Sequence, residues 1–283
     1  MPETFVEIDG FRCYAPALAQ DFADYPSEGF DVTAEVEATS FWCRSRNRIL
    51  RQIVERFTNR PQPIAMLEIG CGIGGVVREL RSVPNLKLTA SEIYLQGLRY
   101  ARAKFPDVDF IQLDASSMPF RSDFDVVGAF DVLEHIEADE RVVSGVFQAL
   151  RPSGLFIVTV PQYQWMWSTL DEIVHHKRRY SRSGLVDTLR RHEFDVVYCT
   201  SFVTMLFPVM AVSRVLSRAR TRSTDSDANA KAAFTAEVVL PPVLNRVFDW
   251  VMRVDELALR AGLSLPFGGS LLVVARKPCE AKS

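Results

Sequence analysis

Residues 67–75, Leu67-Glu68-Ile69-Gly70-Cys71-Gly72-Ile73-Gly74-Gly75, constrain the fold more than any other stretch. The apolar run 64–69 follows Pro61 and Pro63 and reads as a buried strand of a parallel sheet. The glycines come at once, and residues 76–80 then have helical spacing. Strand, glycine turn and helix open a nucleotide-binding βαβ unit. Glycine lets the backbone bend sharply and lets a ligand lie against it with no Cβ in the way. The helix N-terminus beyond it favours polar or anionic groups. Two patterns share the string: Gly70, Gly72 and Gly75 fit the dinucleotide signature G-x-G-x-x-G, while Glu68, Gly70, Gly72 and Gly74 fit E-x-G-x-G-x-G.

A chain of 283 residues with 48% hydrophobic residues has enough apolar material for one large core with an appendage. Its formal net charge of −2 supplies no global field toward nucleic acid, and no basic stripe runs along it. The five cysteines form no C-x-x-C pair, which excludes a zinc ribbon and argues for reduced thiols. Met1-Pro2-Glu3-Thr4 has neither the basic region nor the apolar core of a signal peptide, so a cytoplasmic location is expected.

Residues 1–34 are mixed and read as an irregular arm or lid. Residues 35–58 read as a helix with Phe41, Trp42, Ile49, Leu50, Ile53, Val54 and Phe57 on one face and Arg44, Arg46, Arg48 and Arg51 between them. Strands are expected at 64–69, 86–92, 108–113, 124–130, 155–160, 194–201 and 270–276, with helices at 95–105, 139–150 and 181–192 between them. Strands alternating with helices imply a doubly wound, mostly parallel sheet. The second strand ends in Glu92, about 20 residues past the glycines, where a carboxylate accepts from ribose hydroxyls. A helix follows Glu92, so an N-terminal helix acid is the alternative role. The third strand ends in Asp114-Ala115, and a turn-starting Asp is the alternative there.

Residues 202–268 interrupt the pattern before the last strand. They comprise an apolar run at 202–216, a polar stretch at about 217–236 expected to be mobile, and an amphipathic helix at 241–261 with Leu244, Val247, Phe248, Val251, Val254, Leu257 and Ala258 as its apolar stripe. The apolar run is shorter than the roughly 20 residues a bilayer span needs. It reads as core or pocket wall, or alternatively as a peripheral membrane contact through 202–216.

With these elements placed, the E-x-G-x-G-x-G string resembles the first motif of class I S-adenosylmethionine methyltransferases. The D-V-L-E-H-I segment at 131–136 and L-R-P-S-G-L-F-I-V-T-V-P at 150–161 resemble the same family. The whole of 41–277 resembles a bacterial type-11/type-12 subgroup, marked by F-W-x-R-x-R, the W-S-x-x-D-x-x-x-H-H-x-R-R-Y loop, an L-F-P segment and the final L-P-F-G-x-S-L-L-V-V-A-R-K. The resemblance implies a seven-stranded, Rossmann-like α/β sheet. It implies an N-terminal arm and helix on the acceptor side (1–60), a donor-binding core (61–201), a helical insertion (202–268) and a final strand and tail (269–283). It implies S-adenosylmethionine as donor and S-adenosylhomocysteine as product, bound by Glu68, Gly70, Cys71, Gly72, Gly74, Glu92, Ile93, Asp114, Ala115 and Phe130, with Arg46 toward the donor's carboxylate.

The acceptor side is assigned to Trp42, Tyr163, Trp167, Arg178, Arg179 and Tyr180, the cations suiting a phosphate or carboxylate. An oxygen nucleophile needs a proton acceptor, and His serves near neutral pH. Of four histidines, His135, His175 and His176 fall on loops expected to converge on the methyl group, and His192 is expected at the surface. Asp131-x-x-Glu134-His135 is similar to the E-x-x-E-H segment that holds a divalent metal in ubiquinone-biosynthesis and small-RNA 2′-O-methyltransferases. The first acid departs from that pattern, so no metal is expected, with Asp131, Glu134 and His135 as the alternative set. The expected activity is methyl transfer to an oxygen of a small-molecule or lipid- or sugar-linked acceptor, in secondary metabolism. An NAD-dependent oxidoreductase and a catalytically silent S-adenosylmethionine-binding regulator are the competing classes.

Overall fold

The computed structural model describes residues 4–19, 40–220 and 240–279. One mixed sheet of nine strands organises it, in the order β1-β2-β5-β4-β3-β6-β7-β9-β8. The central strands are β3 (Ile64–Ile69), β4 (Leu86–Glu92), β5 (Asp109–Gln112), β6 (Phe124–Phe130) and β7 (Leu150–Pro161), all parallel to one another. At the far side of the sheet β9 (Ser270–Arg276) enters antiparallel, between β7 and β8 (Asp195–Phe202). Chain direction across the sheet reverses between β3 and β6, and the carboxyl ends of these two strands flank the crevice where open α/β sheets bind ligands.

The strand count corrects the expected seven. Residues 4–19 are not simply an irregular arm: β1 (Val6–Ile8) and β2 (Phe11–Cys13) form a hairpin, and β2 pairs in parallel with β5 at the sheet edge. The cause is local turn chemistry. Asp9 and Gly10 both have positive φ (54° and 73°), as a two-residue hairpin turn of the primed type requires. Phe11 and Cys13 then bury against the core. The lid expected across 1–34 otherwise lies outside the described residues.

Helices cover both faces: α1 (Phe41–Thr58), the short α2 (Val77–Leu80), α3 (Leu95–Lys104), α4 (Asp139–Ala149), α5 (Thr169–Ile173), α6 (Arg182–Arg191), α7 (Phe207–Arg220) and α8 (Pro242–Arg260). Ile49, Leu50, Ile53 and Val54 of α1 are buried against the sheet, as the spacing predicts. Of the arginines between them, Arg48 grips Glu256 (2.6 and 2.9 Å) and Asp249 (2.9 Å) of α8, tying the insertion helix to α1. The expected stripe of α8 is divided, with Phe248 and Val251 packed against the core. Met252, Asp255, Glu256 and Leu259 turn inward, whereas Leu244, Val247, Val254 and Leu257 face outward. Residues 217–220, expected in the polar linker, complete α7, and the rest of that linker lies outside the described residues.

Candidate functional site

The glycine loop leaves β3 with φ of +70° at Gly70 and +53° at Gly72, a region that L side chains rarely adopt. A Cβ on Gly70 would meet Val132 at 2.6 Å, whereas one on Gly72 would meet nothing within 4 Å. Gly70 is therefore required by packing against the loop after β6, and Gly72 leaves open space along the backbone. The Gly72 N–H donates to Glu92 Oε2 (3.0 Å), and Ile93 and Tyr94 N–H groups donate to Oε1 (2.8 and 3.3 Å). A carboxylate accepts about four hydrogen bonds, so this geometry fixes Glu92 and leaves acceptor capacity on Oε2. Burial pushes the Glu92 carboxyl up, against the lowering effect of those N–H groups. Open backbone beside a pinned carboxylate fits a ribose-bearing donor.

Cys71 and Ala115 are buried, as are Glu68 and Phe130 deeper in the strands. Asp114 accepts from the Ser116 N–H and hydroxyl (both 2.8 Å) and so caps a short turn, the alternative role named for it.

The loops after β6 and β7 bring the catalytic candidates together. His135 and His176 stack edge to face at 4.6 Å between ring centroids. His176 Nδ1 lies 2.8 Å from Asp171 Oδ1, and its Nε2 lies 3.9 Å from Glu134 Oε1. Asp171 is wholly buried and carries five close polar contacts. It accepts from the Ser168 N–H and hydroxyl (2.8 and 3.0 Å) and from Arg179 Nε and Nη2 (2.8 and 2.9 Å), besides facing His176. Burial raises its carboxyl, but the His176 and Arg179 hydrogen bonds outweigh burial and hold it well below the usual range. An anionic Asp171 accepts only a hydrogen, so it holds His176 with the proton on Nδ1 and the lone pair on Nε2.

Burial and the adjacent His176 push His135 down to about 3, which keeps it neutral. Glu134 is fully buried, and neither of its carboxyl oxygens has a hydrogen-bond partner. Burial and the nearby Asp131 push it far above the ordinary carboxylate range. Glu134, His135 and His176 offer ligand atoms within 4.8 Å of one another, a set a divalent cation accepts, with Asp171 orienting the imidazole from behind. Asp131 stands apart from that set. It pairs with Arg46 (2.8 Å) and accepts from Thr159 (3.2 Å). Positive φ at Asp131 (58°), Tyr163 (68°) and His175 (58°) puts three strained non-glycine residues around this cluster, where functional sites concentrate strain.

The other assigned side chains make contacts of their own. His175 is exposed, while His176 turns inward. Arg178 and Arg179 do not wait for an anionic acceptor. Arg178 pairs with Asp139 (2.8 Å), and Arg179 forks onto Asp171, because a buried carboxylate demands a matched cation. Tyr180 is buried and donates to Asp139 (2.7 Å). Trp42 lies under the Arg46 guanidinium (4.8 Å), Tyr163 contacts Trp165 and Phe207, and Trp167 donates to Glu172. The residue that sequence reasoning passed over is Asp171. Its visible signal was the S-x-x-D capping box with Ser168, which explains only part of what it does. A cavity of about 690 Å³ lies between α1, α2 and α8, toward the amino ends of β3 and β4, so it is remote from this chemistry.

Residues 67–158 match the family model described as a methyltransferase domain. A probable S-adenosylmethionine-dependent methyltransferase of Mycolicibacterium smegmatis is 26% identical over 160 residues, 56% of this chain and 60% of the relative. A malonyl-[acyl-carrier protein] O-methyltransferase of Enterobacter lignolyticus is 28% identical over 131 residues, 44% and 52% of the two chains. The matches thus span little more than half the length of these relatives. The fold is also that of the Haemonchus contortus phosphoethanolamine N-methyltransferase 2 solved with S-adenosylmethionine (TM-score 0.60, 18% identity, 92% of this chain and 60% of that one). Residues 67–158 thus match a methyltransferase domain, set in a sheet whose fold is shared with a methyltransferase solved with S-adenosylmethionine.

Proposed function

We propose that the chain transfers a methyl group from S-adenosylmethionine to an oxygen of a small-molecule or lipid- or sugar-linked acceptor, with His176 as general base. The observation that carries the base assignment is the Asp171–His176 contact at 2.8 Å, which leaves Nε2 free to take a proton. The bound donor supplies an electrophilic methyl on a positively charged sulfur. In this reading Glu92 accepts from the donor's ribose hydroxyls, and Asp114 accepts from the adenine amino group. Arg46 stands near the donor's amino-acid end with its charge partly matched by Asp131. His176 Nε2 removes the acceptor's hydroxyl proton as the oxygen closes to roughly 3–3.5 Å from the methyl carbon. The resulting imidazolium keeps its Nδ1 hydrogen bond to Asp171, and Arg179 balances the second carboxylate oxygen. His135 stays neutral beside the base.

The test is label transfer from methyl-labelled S-adenosylmethionine across hydroxylated small molecules, sugars and lipid-linked acceptors, with His176→Ala in parallel. Labelled ether or ester product, lost with His176→Ala, is the expected outcome. Label on nitrogen or carbon, or full turnover by the variant, contradicts the reading. A metal-assisted version is the second reading, favoured by the partnerless oxygens of Glu134 beside two imidazoles. Turnover that survives exhaustive chelation removes it.

A further inference from the structure

Helix α8 carries two apolar stripes. One packs on α1. The other, Val243, Val247, Trp250, Val254 and Leu257, recurs every three or four residues and faces outward, with Trp250 77% and Leu257 65% exposed. All three acids of α8 turn toward the body: Asp249 and Glu256 bind Arg48, and Asp255 accepts from the Thr204 and Met205 N–H groups (2.6 and 3.3 Å). Arg246, Arg253 and Arg260 stay exposed beside the outward stripe. A single free aromatic is ordinary, but a five-residue stripe with three exposed arginines along one flank and no exposed acid on its helix is a recognition surface.

Helix α7 presents an exposed apolar face of its own. Met205, bonded to Asp255, begins a second exposed series with Val209, Val212 and Leu216, and the α7 sequence holds three arginines and no acid. No described helix is long and apolar enough to cross a membrane.

We propose that the outward faces of α8 and α7 seat the protein on an anionic lipid surface. Charge selects this occupant. Two copies joined antiparallel along the α8 stripe would set Arg246, Arg253 and Arg260 against themselves, and joined parallel they would bury those arginines against apolar side chains. A bilayer takes the stripe into its interface, while its headgroups take the arginines. The surface lies one helix away from the candidate site. Asn245 of α8 accepts from the Phe41 N–H (2.7 Å), Phe248 packs on Phe41 (5.3 Å), and α1 carries Arg46 on to Asp131. The inference does not depend on the donor or on methyl transfer.

The full chain is sedimented with vesicles of phosphatidylcholine alone and of phosphatidylcholine with phosphatidylglycerol, at low and high salt. Binding to the anionic vesicles that weakens with salt is expected. Trp250→Gln with Leu257→Gln lowers it by roughly tenfold or more, and Arg246→Glu, which leaves the apolar stripe whole, by roughly fivefold. Circular dichroism and melting temperature confirm that each variant is folded. Absence of wild-type binding to anionic vesicles, or equal binding by wild type and both variants, overturns the proposal. So does light scattering that finds a wild-type dimer which the double variant loses, since a second copy would then cover the face.

Discussion

Replacing one carboxylate oxygen of Asp171 with an amide leaves two groups without their match, the Nδ1 hydrogen of His176 and the forked guanidinium of Arg179. Arg179 is nearly buried, so Asp171→Asn is expected to cost roughly 3–5 kcal/mol of stability. Turnover is expected to fall while affinity for S-adenosylhomocysteine holds, because the donor contacts lie on other loops. Urea unfolding read beside calorimetry separates the two effects. His176→Ala, which leaves Asp171 paired with Arg179, is expected to cost about 10²–10⁴ in kcat with less loss of stability. Asp171 was hard to find from sequence for a physical reason. An acid at the third position of a helix satisfies a local capping rule, and nothing in that rule reveals that a histidine five residues on folds back to the same carboxylate.

Between elements, the contacts that set the site are steric and electrostatic rather than catalytic. Gly70→Ala places a Cβ 2.6 Å from Val132 at a φ of +70°, so a loss of about 1–3 kcal/mol in chemical denaturation is expected. The same change at Gly72 strains the backbone without a clash, and there the loss is expected mainly in donor affinity. At the opposite edge Asp125 clamps the start of β3. It accepts from the Ala65 N–H (2.9 Å) and pairs with Arg60 and Arg151 (both 2.8 Å). Burial raises its carboxyl, but these partners outweigh burial and hold it below the ordinary value. A depressed carboxyl stabilises the fold above its unfolded pKa of about 3.9, and that stability is lost as pH falls through the folded value. Asp125→Asn is therefore expected to be less stable than wild type by about 1–3 kcal/mol at pH 7, with the gap closing below pH ~4 in thermal or urea unfolding. The central strands were legible because buried parallel strands leave uninterrupted apolar runs. The hairpin over β1 and β2 was missed although its Asp9-Gly10 turn is a strong signal, because two three-residue strands have too few side chains to show alternation.

For the molecule as a whole, sequence gave the sheet's ordering principle but not the orientation of α8. A helix with apolar residues on both sides has no single periodic face, and long-range contacts decide which stripe turns inward: Arg48 reaching from α1 to Asp249 and Glu256, and Asp255 accepting from the Thr204 N–H. The candidate site was legible as far as its loops. The glycine string, Glu92, His135 and His176 follow from strand order, whereas His175 is exposed and the inward turn of Arg179 depends on a buried acid, Asp171, that pattern reading treats as a surface residue. Everything rests on a donor held at the crevice between β3 and β6, against the Gly72 backbone and the Glu92 carboxylate. Isothermal titration of the full chain with S-adenosylhomocysteine tests this most directly, run for wild type and Glu92→Ala. Saturable binding near one equivalent is expected for wild type, weaker by roughly 10- to 100-fold in the variant as a charged hydrogen-bond acceptor is lost. No heat with S-adenosylhomocysteine, together with saturation by a nicotinamide dinucleotide, would contradict it.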